Sequence, residues 1–355
     1  MQEITVTRTA QPKVKPADES KLGFGKIFTD HMFLMDYEAG KGWFNPRVVP
    51  YGNFTLDPAT TVFHYGQAIF EGTKCYRRAD GGLQLFRPAD NLARMTRSAK
   101  RMGMPALDEE TALAGIKKLV EVDADWVPHQ SGTSLYIRPT MIATDVMLGV
   151  HAATHYLFFI ICSPVGSYYK DGLKPVGIYV EDEYVRAVRG GTGFTKCAGN
   201  YAASILAGDV AEQKGYSQVL WLDGVEQKYV EEVGSMNMMF AYGSHIVTPA
   251  LNGSILPGIT RDSILTLARQ LGYEVSEERL AIADIFADIK SGKLTEAFGT
   301  GTAAVISPVG ELCMKDEKLI IGGGQIGPVA QKLYDTLTGI QYGRLPDENG
   351  WVVKL

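Results

Sequence analysis

The sequence predicts a two-domain protein of the α+β or mixed α/β class. Its 355 residues are enough for about two domains, at roughly 100–200 residues each, and for a substantial buried core. Segments typical of strands and of helices follow one another without strict alternation, which argues against a plain doubly wound sheet. Residues 164–175 contain two prolines, two glycines and two tyrosines, a composition that favours a linker.

The domain boundaries are placed at that linker. Residues 1–22 are polar, contain Pro12 and Pro16 and lack the apolar stretch of a secretory signal, so they are predicted to form a mobile N-terminal arm. Residues 23–163 are predicted to form a small N-terminal domain, and residues 176–355 a large C-terminal domain.

Hydrophobic periodicity assigns the elements within the domains. Leu92, Met95, Ala99 and Met102 are spaced three, four and three residues apart, which predicts a helix over residues 91–102. The other predicted elements are strands at 61–65 and 84–86, a helix at 108–122, strands at 155–162 and 176–181, a helix at 200–214, strands at 218–222 and 236–241, and a helix at 261–271.

Composition and charge exclude several classes of function. A net charge of -5 gives no strong attraction to nucleic acid or to an anionic membrane. The longest apolar run, residues 156–162, is far too short to span a bilayer. The four cysteines are scattered without a CxxC pair, as is typical of reduced thiols in a cytoplasmic protein. We therefore expect a cytoplasmic protein that binds any anionic ligand through a local site.

Lys196 is the strongest candidate for chemistry. It ends the glycine-rich run Arg189-Gly-Gly-Thr-Gly-Phe-Thr-Lys196, and glycines let a ligand approach the backbone closely. Most lysines are solvated and do no chemistry. A buried lysine that loses its proton, however, is a nucleophile that forms Schiff bases. The segment therefore leads to the hypothesis of a pyridoxal-phosphate enzyme.

Other segments meet the remaining needs of that cofactor. Glu232 is a candidate carboxylate for the pyridine nitrogen, and Tyr201, five residues after Lys196, a donor for the phenolic oxygen. Thr260 is predicted to be the N-cap of a helix whose free amides suit a phosphate. The small-residue turn at residues 298–304 also suits an anion. Three of these have a plainer alternative: a surface loop for Glu232, a capped surface helix for Thr260 and a strand-entry turn for residues 298–304.

Two other patterns carry little weight. Residues 322–327 fit the dinucleotide motif G-x-G-x-x-G, but only 28 residues follow Gly327, too few for a convincing βαβ unit. A structural turn before a helix that begins at Pro328 is the preferred interpretation. His151 and His155 are four residues apart without a carboxylate to complete a metal site, so we expect solvated histidines and no metal.

Eight motifs in order make the chain resemble the class IV pyridoxal-phosphate aminotransferases, and among them most the branched-chain-amino-acid aminotransferases. The resemblance runs from about residue 23 to the C-terminus and includes Phe70-Glu71-Gly72 and Tyr136-Ile-Arg138-Pro. The segments that carry it are residues 24–32, 64–72, 85–94, 136–139, 189–201, 232–237, 257–261 and 299–303.

The resemblance implies a two-domain, D-amino-acid-aminotransferase-like fold, a homodimer and pyridoxal 5'-phosphate. It implies reversible transfer of the amino group of L-leucine, L-isoleucine or L-valine to 2-oxoglutarate, by ping-pong kinetics through an aldimine on the catalytic residue Lys196. The cofactor-binding residues that it implies are Arg94, Lys196, Tyr201, Glu232, Ile259, Thr260 and Thr302. The substrate-binding residues that it implies are Tyr65, Phe70, Tyr136, Arg138, Tyr168, Thr302 and Ala303.

Three enzyme alternatives stay open, whereas a binding protein that has lost catalysis is disfavoured because Lys196, Tyr201 and Glu232 are all present. A D-amino-acid aminotransferase and an aminodeoxychorismate lyase have the same fold, although the motifs at residues 24–32 and 136–139 favour the branched-chain type. A nicotinamide-dependent oxidoreductase built on residues 322–327 is the alternative from another class of enzyme. Some mammalian family members have a redox CxxC pair where this chain has Ala304 and Ser307, so thiol regulation at that turn is not expected.

Overall fold

A computed structural model describes residues 2–166 and 173–355, and the predicted site residue Tyr168 lies outside these ranges. The chain divides into two compact units. The N-terminal unit contains residues 2–166 together with Thr195–Ala198 and Ile340–Leu355, and the C-terminal unit contains residues 173–194 and Gly199–Gly339. Both units mix strands with helices, which confirms the predicted fold class.

The described residues form eighteen strands and eight α-helices. The strands are β1 (Thr5–Val6), β2 (His31–Glu38), β3 (Gly42–Pro50), β4 (Ala68–Phe70), β5 (Thr73–Arg77), β6 (Leu83–Phe86), β7 (Ser134–Ala143), β8 (His155–Val165), β9 (Val176–Glu181), β10 (Gln218–Leu222), β11 (Val230–Val233), β12 (Met236–Tyr242), β13 (His245–Pro249), β14 (Glu274–Glu278), β15 (Glu296–Gly301), β16 (Val305–Met314), β17 (Glu317–Ile320) and β18 (Val352–Lys354). The helices are α1 (Thr61–Tyr65), α2 (Pro88–Arg101), α3 (Glu109–Val122), α4 (Ala198–Ala202), α5 (Ile205–Gln213), α6 (Ile259–Gln270), α7 (Ile282–Ser291) and α8 (Pro328–Gln341).

The N-terminal unit is built on a mainly antiparallel sheet in the order β1-β3-β2-β8-β7-β5-β6-β18, with β4 paired to β7. Helices α2 and α3 cover it. The predicted apolar face of α2 is confirmed, since Leu92, Met95 and Ala99 are buried in the core. Gly115 of α3 packs against Phe33. A methyl group added at Gly115 would overlap the phenyl ring, which explains why a glycine occupies this position.

The C-terminal unit is built on a second sheet in the order β11-β10-β9-β16-β15-β12-β13-β14, with β17 paired to β16. Because β11 also pairs with β12, six of these strands close into a ring. Trp221 of β10 is 1% exposed and packs with Ala207 and Ala211 of α5. The ring includes β11, β15 and β16, and predicted site residues lie on β11 and in the β15–β16 turn.

Two predicted elements differ in the structure. Residues 61–65 form helix α1 instead of a strand, because the turn at Asp57 starts it and Gly66, with a φ of 60°, ends it through a bond from its N–H to Val62 O. In a segment of five residues, the spacing of the hydrophobic residues cannot distinguish a strand from a helix. The helix predicted at 200–214 is interrupted after Ala202 and resumes at Ile205.

Both ends of the described chain pair with the N-terminal sheet. The arm predicted to be mobile adds β1 beside β3, and Thr9 N–H donates to His31 Nε2 at 2.9 Å. Strand β18 pairs with β6, with Val352 opposite Phe86, so residues 340–355 belong to the N-terminal unit instead of the C-terminal domain in which they were predicted. Such pairing joins distant segments and leaves no local pattern in the sequence.

Among residues 2–166 and 173–355, none of the helices combines the length and the apolar composition that a membrane span requires, and no group of three or more His, Cys, Asp or Glu side chains is arranged so that it could hold a metal ion. All four cysteines are buried free thiols. The expectation that no carboxylate accompanies His151 and His155 is wrong. Asp145 contacts His151 Nε2 and His155 Nδ1, each at 3.0 Å.

Candidate active site

The backbone of Lys196 is bound on both sides by the N-terminal unit. Its N–H donates to Ser98 Oγ of α2 at 3.0 Å, and its carbonyl accepts from Phe70 N–H at the end of β4, also at 3.0 Å. Ile69 and Cys197 form a further β-bridge. The lysine is therefore held by a helix and a strand and does not lie on a loose loop.

The side chain of Lys196 is half-buried, and its Nζ lies 4.6 Å from the centre of the Phe70 ring. Its pKa is lowered from 10.5 to about 8, with burial as the largest cause; the positive charges of Arg94 and Arg138 act in the same direction, and Glu71 opposes them. At pH 7 roughly a tenth of such amines are unprotonated, compared with less than about one in a thousand for an ordinary lysine. The site thus supplies a nucleophilic amine near neutral pH.

Arg94 lies on α2 and is 4% exposed. Its Nε and Nη2 each donate to one oxygen of the Glu71 carboxylate at 2.8 Å. Burial would raise the pKa of Glu71, but Arg94, Lys196 and Asn91 hold it below its ordinary value. The sequence interpretation missed a role for Glu71: the motif Phe70-Glu71-Gly72 contains the acid but nothing that indicates an arginine 23 residues later.

Tyr136 and Arg138 are two residues apart on β7 and therefore face the same side of the sheet. Arg138 Nη2 donates to Tyr136 Oη at 3.0 Å, and the guanidinium lies 4.7 Å from the Phe70 ring centre. Arg138 Nε is buried without a hydrogen-bond acceptor among the described residues. A methyl group added at Gly72 would overlap Tyr136 Oη. A buried donor without an acceptor favours a carboxylate ligand at this point.

Tyr65 ends helix α1, and its side chain is 43% exposed. Phe70 is half-buried, and its ring centre lies 4.6 Å from Lys196 Nζ and 4.7 Å from the Arg138 guanidinium carbon. The contacts thus join Phe70, Arg138 and Lys196 of the predicted residues, whereas the place of Tyr65 in a substrate pocket stays a prediction.

Glu232 lies on β11 in the C-terminal unit and is 3% exposed. Its Oε1 accepts from Leu256 N–H at 2.6 Å, and its Oε2 lies 3.1 Å from Arg186 Nε. The surface-loop alternative for this glutamate is therefore wrong. Arg186, which the sequence interpretation missed, also donates to the carbonyls of Gly193 and Ser254. The feature of the sequence that could have indicated Arg186 is its position shortly before the glycine-rich run.

The remaining predicted residues of the C-terminal unit lie at the ends of elements. Tyr201 is half-buried on α4. Thr260 is not an N-cap: Gly258 takes that position, and Ile259 and Thr260 are buried in the first turn of α6. A side chain at Gly258 would overlap the Asn237 amide, which explains why a glycine replaces the usual polar cap.

Thr302 and Ala303 are half-buried in the turn that joins β15 to β16. The predicted small-residue turn is therefore present. Residues 322–327 behave as the structural-turn interpretation predicts: β17 pairs antiparallel with β16 before them, and α8 begins at Pro328. A dinucleotide-binding fold requires a parallel βαβ unit, so these glycines do not form the phosphate-binding turn of such a fold.

Comparison with known proteins identifies the family to which the chain belongs. The model of the amino-transferase class IV family matches residues 68–312. The chain belongs to the class IV aminotransferase family. It is 56% identical over 354 residues to branched-chain-amino-acid aminotransferase 2 of Bacillus subtilis (strain 168), covering 100% of this chain and 97% of that one. It is 57% identical over 349 residues to branched-chain-amino-acid transaminase 1 of the same organism, covering 98% of each.

Solved structures of the class IV aminotransferase family are also similar. The branched-chain amino acid aminotransferase of Escherichia coli matches with a TM-score of 0.77 and 27% identity, over 91% of this chain and 98% of that one. The T.th. enzyme of the same name, complexed with N-(5'-phosphopyridoxyl)-L-glutamate, matches with a TM-score of 0.74 and 28% identity, over 90% of this chain and 97% of that one. The fold is therefore the class IV aminotransferase fold.

Proposed function

We propose that the chain is a branched-chain-amino-acid aminotransferase that uses pyridoxal 5'-phosphate. It transfers the amino group of L-leucine, L-isoleucine or L-valine reversibly to 2-oxoglutarate. The observation that carries the proposal is the half-buried Lys196 amine, whose pKa is lowered to about 8 beside Arg94 and Arg138. The names of relatives that are 56% and 57% identical support the choice of substrate.

The residues present fit this cofactor. Lys196 offers an amine that is partly unprotonated near neutral pH, Arg94 a buried cation and Glu232 a buried carboxylate. When bound, pyridoxal phosphate supplies an electron sink that makes the α-proton of an amino acid removable.

Each cofactor-binding residue has a separate task. Arg94 would bind the phosphate, and Ile259, Thr260 and Thr302 would add donors from the first turn of α6 and from the β15–β16 turn. Glu232 keeps the ring nitrogen protonated, because a carboxylate favours a cation beside it.

Two further residues act on the reaction itself. Tyr201 donates to the phenolic oxygen of the cofactor. With the cofactor bound, Lys196 Nζ would accept the α-proton of the substrate and would then donate a proton, so the same amine would act first as a base and then as an acid.

Substrates are recognised by a polar and an apolar group of residues. Arg138 and Tyr136 bind carboxylate, assisted by the amides of Thr302 and Ala303. Tyr65 and Phe70 contact the branched side chain, and the same role is assigned to Tyr168, which lies outside the described residues. We expect slight discrimination among leucine, isoleucine and valine, because one methylene is worth about 1–3 kcal/mol. The protein is further proposed to be a cytoplasmic homodimer.

Borohydride labelling tests the proposal and contains its own control. Lys74 of β5 is also buried, and its pKa is likewise lowered to about 8 by burial. Borohydride treatment of the purified protein with pyridoxal phosphate should attach the cofactor covalently to Lys196 alone, as mapped by peptide mass spectrometry. Lys196→Ala should lose this label and transamination but retain a fold, by circular dichroism. A label on Lys74 instead would refute the assignment.

Substrate choice is tested separately. Formation of the keto acid from L-leucine with 2-oxoglutarate should greatly exceed that from D-alanine. The reverse preference would identify a D-amino-acid aminotransferase of the same fold.

A further inference from the structure

Glu71 is a buried carboxylate of the N-terminal unit that has no task in the proposed function. It follows β4 directly, and its exposure is 0%. A buried carboxylate strongly destabilises a protein unless donors surround it. Its contacts therefore indicate what it is for.

Three side-chain donors and one amide converge on this carboxylate. Arg94 donates to both oxygens at 2.8 Å, a bidentate arrangement that fixes the plane of the guanidinium. Asn91 Nδ2 donates to Oε2 at 2.9 Å and to the Gly72 carbonyl at 3.1 Å. Gly72 N–H donates to Oε2 at 3.2 Å.

Helix α2 explains how these donors reach one point. Asn91, Arg94 and Ser98 are spaced three and four residues apart and so share one face of the helix. The first two bind Glu71, and Ser98 Oγ accepts from the backbone N–H of Lys196. The same face therefore holds Glu71, the phosphate arginine and the backbone of the catalytic lysine.

Strand β4 and the residue after it also make backbone hydrogen bonds that position Glu71. Phe70, the residue before Glu71, donates its N–H to the Lys196 carbonyl at 3.0 Å, and Glu71 N–H donates to Pro139 O of β7 at 2.8 Å. The carboxylate is thus fixed relative to the lysine and to the strand that carries Arg138.

We propose that Glu71 is a positioning residue that holds the Arg94 guanidinium in the one orientation that meets the cofactor phosphate, beside the Lys196 amine. This inference rests on the proposed function, since it assigns the phosphate to Arg94. It assigns Glu71 no contact with the cofactor or the substrate.

Electrostatics alone predicts the opposite outcome, which makes the inference testable. Removing a negative charge near a phosphate dianion should tighten cofactor binding if only charge mattered. If Glu71 orients Arg94, the same change frees the guanidinium, and binding should weaken. The direction of the change decides between the two.

Glu71→Gln is the decisive variant, and Asp90→Asn is its matched control. Asp90 lies on the same helix, pairs with Arg87 at 2.7 Å and is half-exposed. We expect the dissociation constant of pyridoxal phosphate from the apoprotein, measured by fluorescence titration, to rise at least about tenfold in Glu71→Gln, which corresponds to about 1.4 kcal/mol. Asp90→Asn should leave it within about twofold.

The apoprotein gives a second readout that needs no cofactor. The pKa of Lys196, measured from the pH dependence of its modification by an amine reagent, should fall in Glu71→Gln because Glu71 raises it. Glu71→Asp keeps the charge but shortens the side chain, so cofactor binding should weaken while the pKa of Lys196 falls less. Glu71→Asp decides the inference if Glu71→Gln fails to fold.

Tighter or unchanged cofactor binding in the folded variants would overturn the inference. Wild-type protein that takes no cofactor on Lys196 would instead overturn the proposed function. The two failures are therefore distinguishable.

Discussion

Replacing Arg138 by methionine tests how one site accepts two unlike substrates. Leucine brings one carboxylate and an apolar side chain, whereas 2-oxoglutarate brings a second carboxylate that an apolar pocket rejects. Arg138 has a buried Nε without an acceptor among the described residues and an Nη2 that donates to Tyr136 Oη at 3.0 Å. Methionine retains an unbranched apolar side chain that can pack against Phe70 and removes every donor.

The size of the effect follows from the free energy of one hydrogen bond between Arg138 and the second carboxylate. A hydrogen bond to a charged group contributes about 1.5–3 kcal/mol, which corresponds to roughly 10–150-fold in affinity. We expect Arg138→Met to weaken the half-reaction with 2-oxoglutarate by that factor. The half-reaction with leucine should lose less, because its side chain presents no charge to Arg138.

Single-turnover kinetics separates the two half-reactions. The pyridoxal form is mixed with L-leucine and the pyridoxamine form with 2-oxoglutarate, and the dependence on substrate concentration gives an apparent affinity for each. Tyr136→Phe is the control, since it removes the oxygen that accepts from Arg138 and retains the ring. It should weaken 2-oxoglutarate less than Arg138→Met does.

A readout in the apoprotein checks that Arg138→Met acts at the site. Arg138 lowers the pKa of Lys196, so the variant should raise it. Equal losses in the two half-reactions would refute the reasoning, because they would mean that Arg138 binds only the carboxylate common to both substrates.

Two further outcomes are expected. The initial rate at which the apoprotein captures pyridoxal phosphate should rise about tenfold per pH unit as Lys196 loses its proton and level off above its pKa of about 8; stopped-flow absorbance measures this, and a rise that continues to about pH 10, the ordinary lysine range, would contradict it. Arg186→Met removes the cation that pairs with the buried Glu232 carboxylate and should lower the free energy of unfolding by about 3–5 kcal/mol, as measured by urea denaturation. An unchanged urea midpoint would show that the Arg186–Glu232 pair adds nothing to stability.

Local patterns in the sequence predicted those elements that are determined by residues close together in the chain. Helix α2 followed from the spacing of Leu92, Met95 and Ala99, and these side chains are in the core. Lys196 is predicted to be the reactive residue because a lysine among glycines is unusual at a protein surface. Helix α1 was missed because a residue outside it, Gly66, ends it.

The rest of the site depends on contacts that no local pattern records. Glu71 and Arg94 are 23 residues apart, Ser98 and Lys196 98 apart, and each pair is formed only because β4, α2 and the lysine segment meet in one unit. The same is true of β18, which joins the sheet through backbone bonds to β6 and needs no particular side chains.

The pKa of Lys196 shows why such contacts decide function. Residue type alone gives 10.5, and burial, two arginines and a glutamate together bring it to about 8. The arginines lie on α2 and β7 and the glutamate follows β4, so the amine responds to several elements at once. A substitution that shifts α2 along its axis would move Arg94 and Ser98 together. It would change both the charge beside the amine and the backbone bond that holds it, even though Lys196 itself is unaltered.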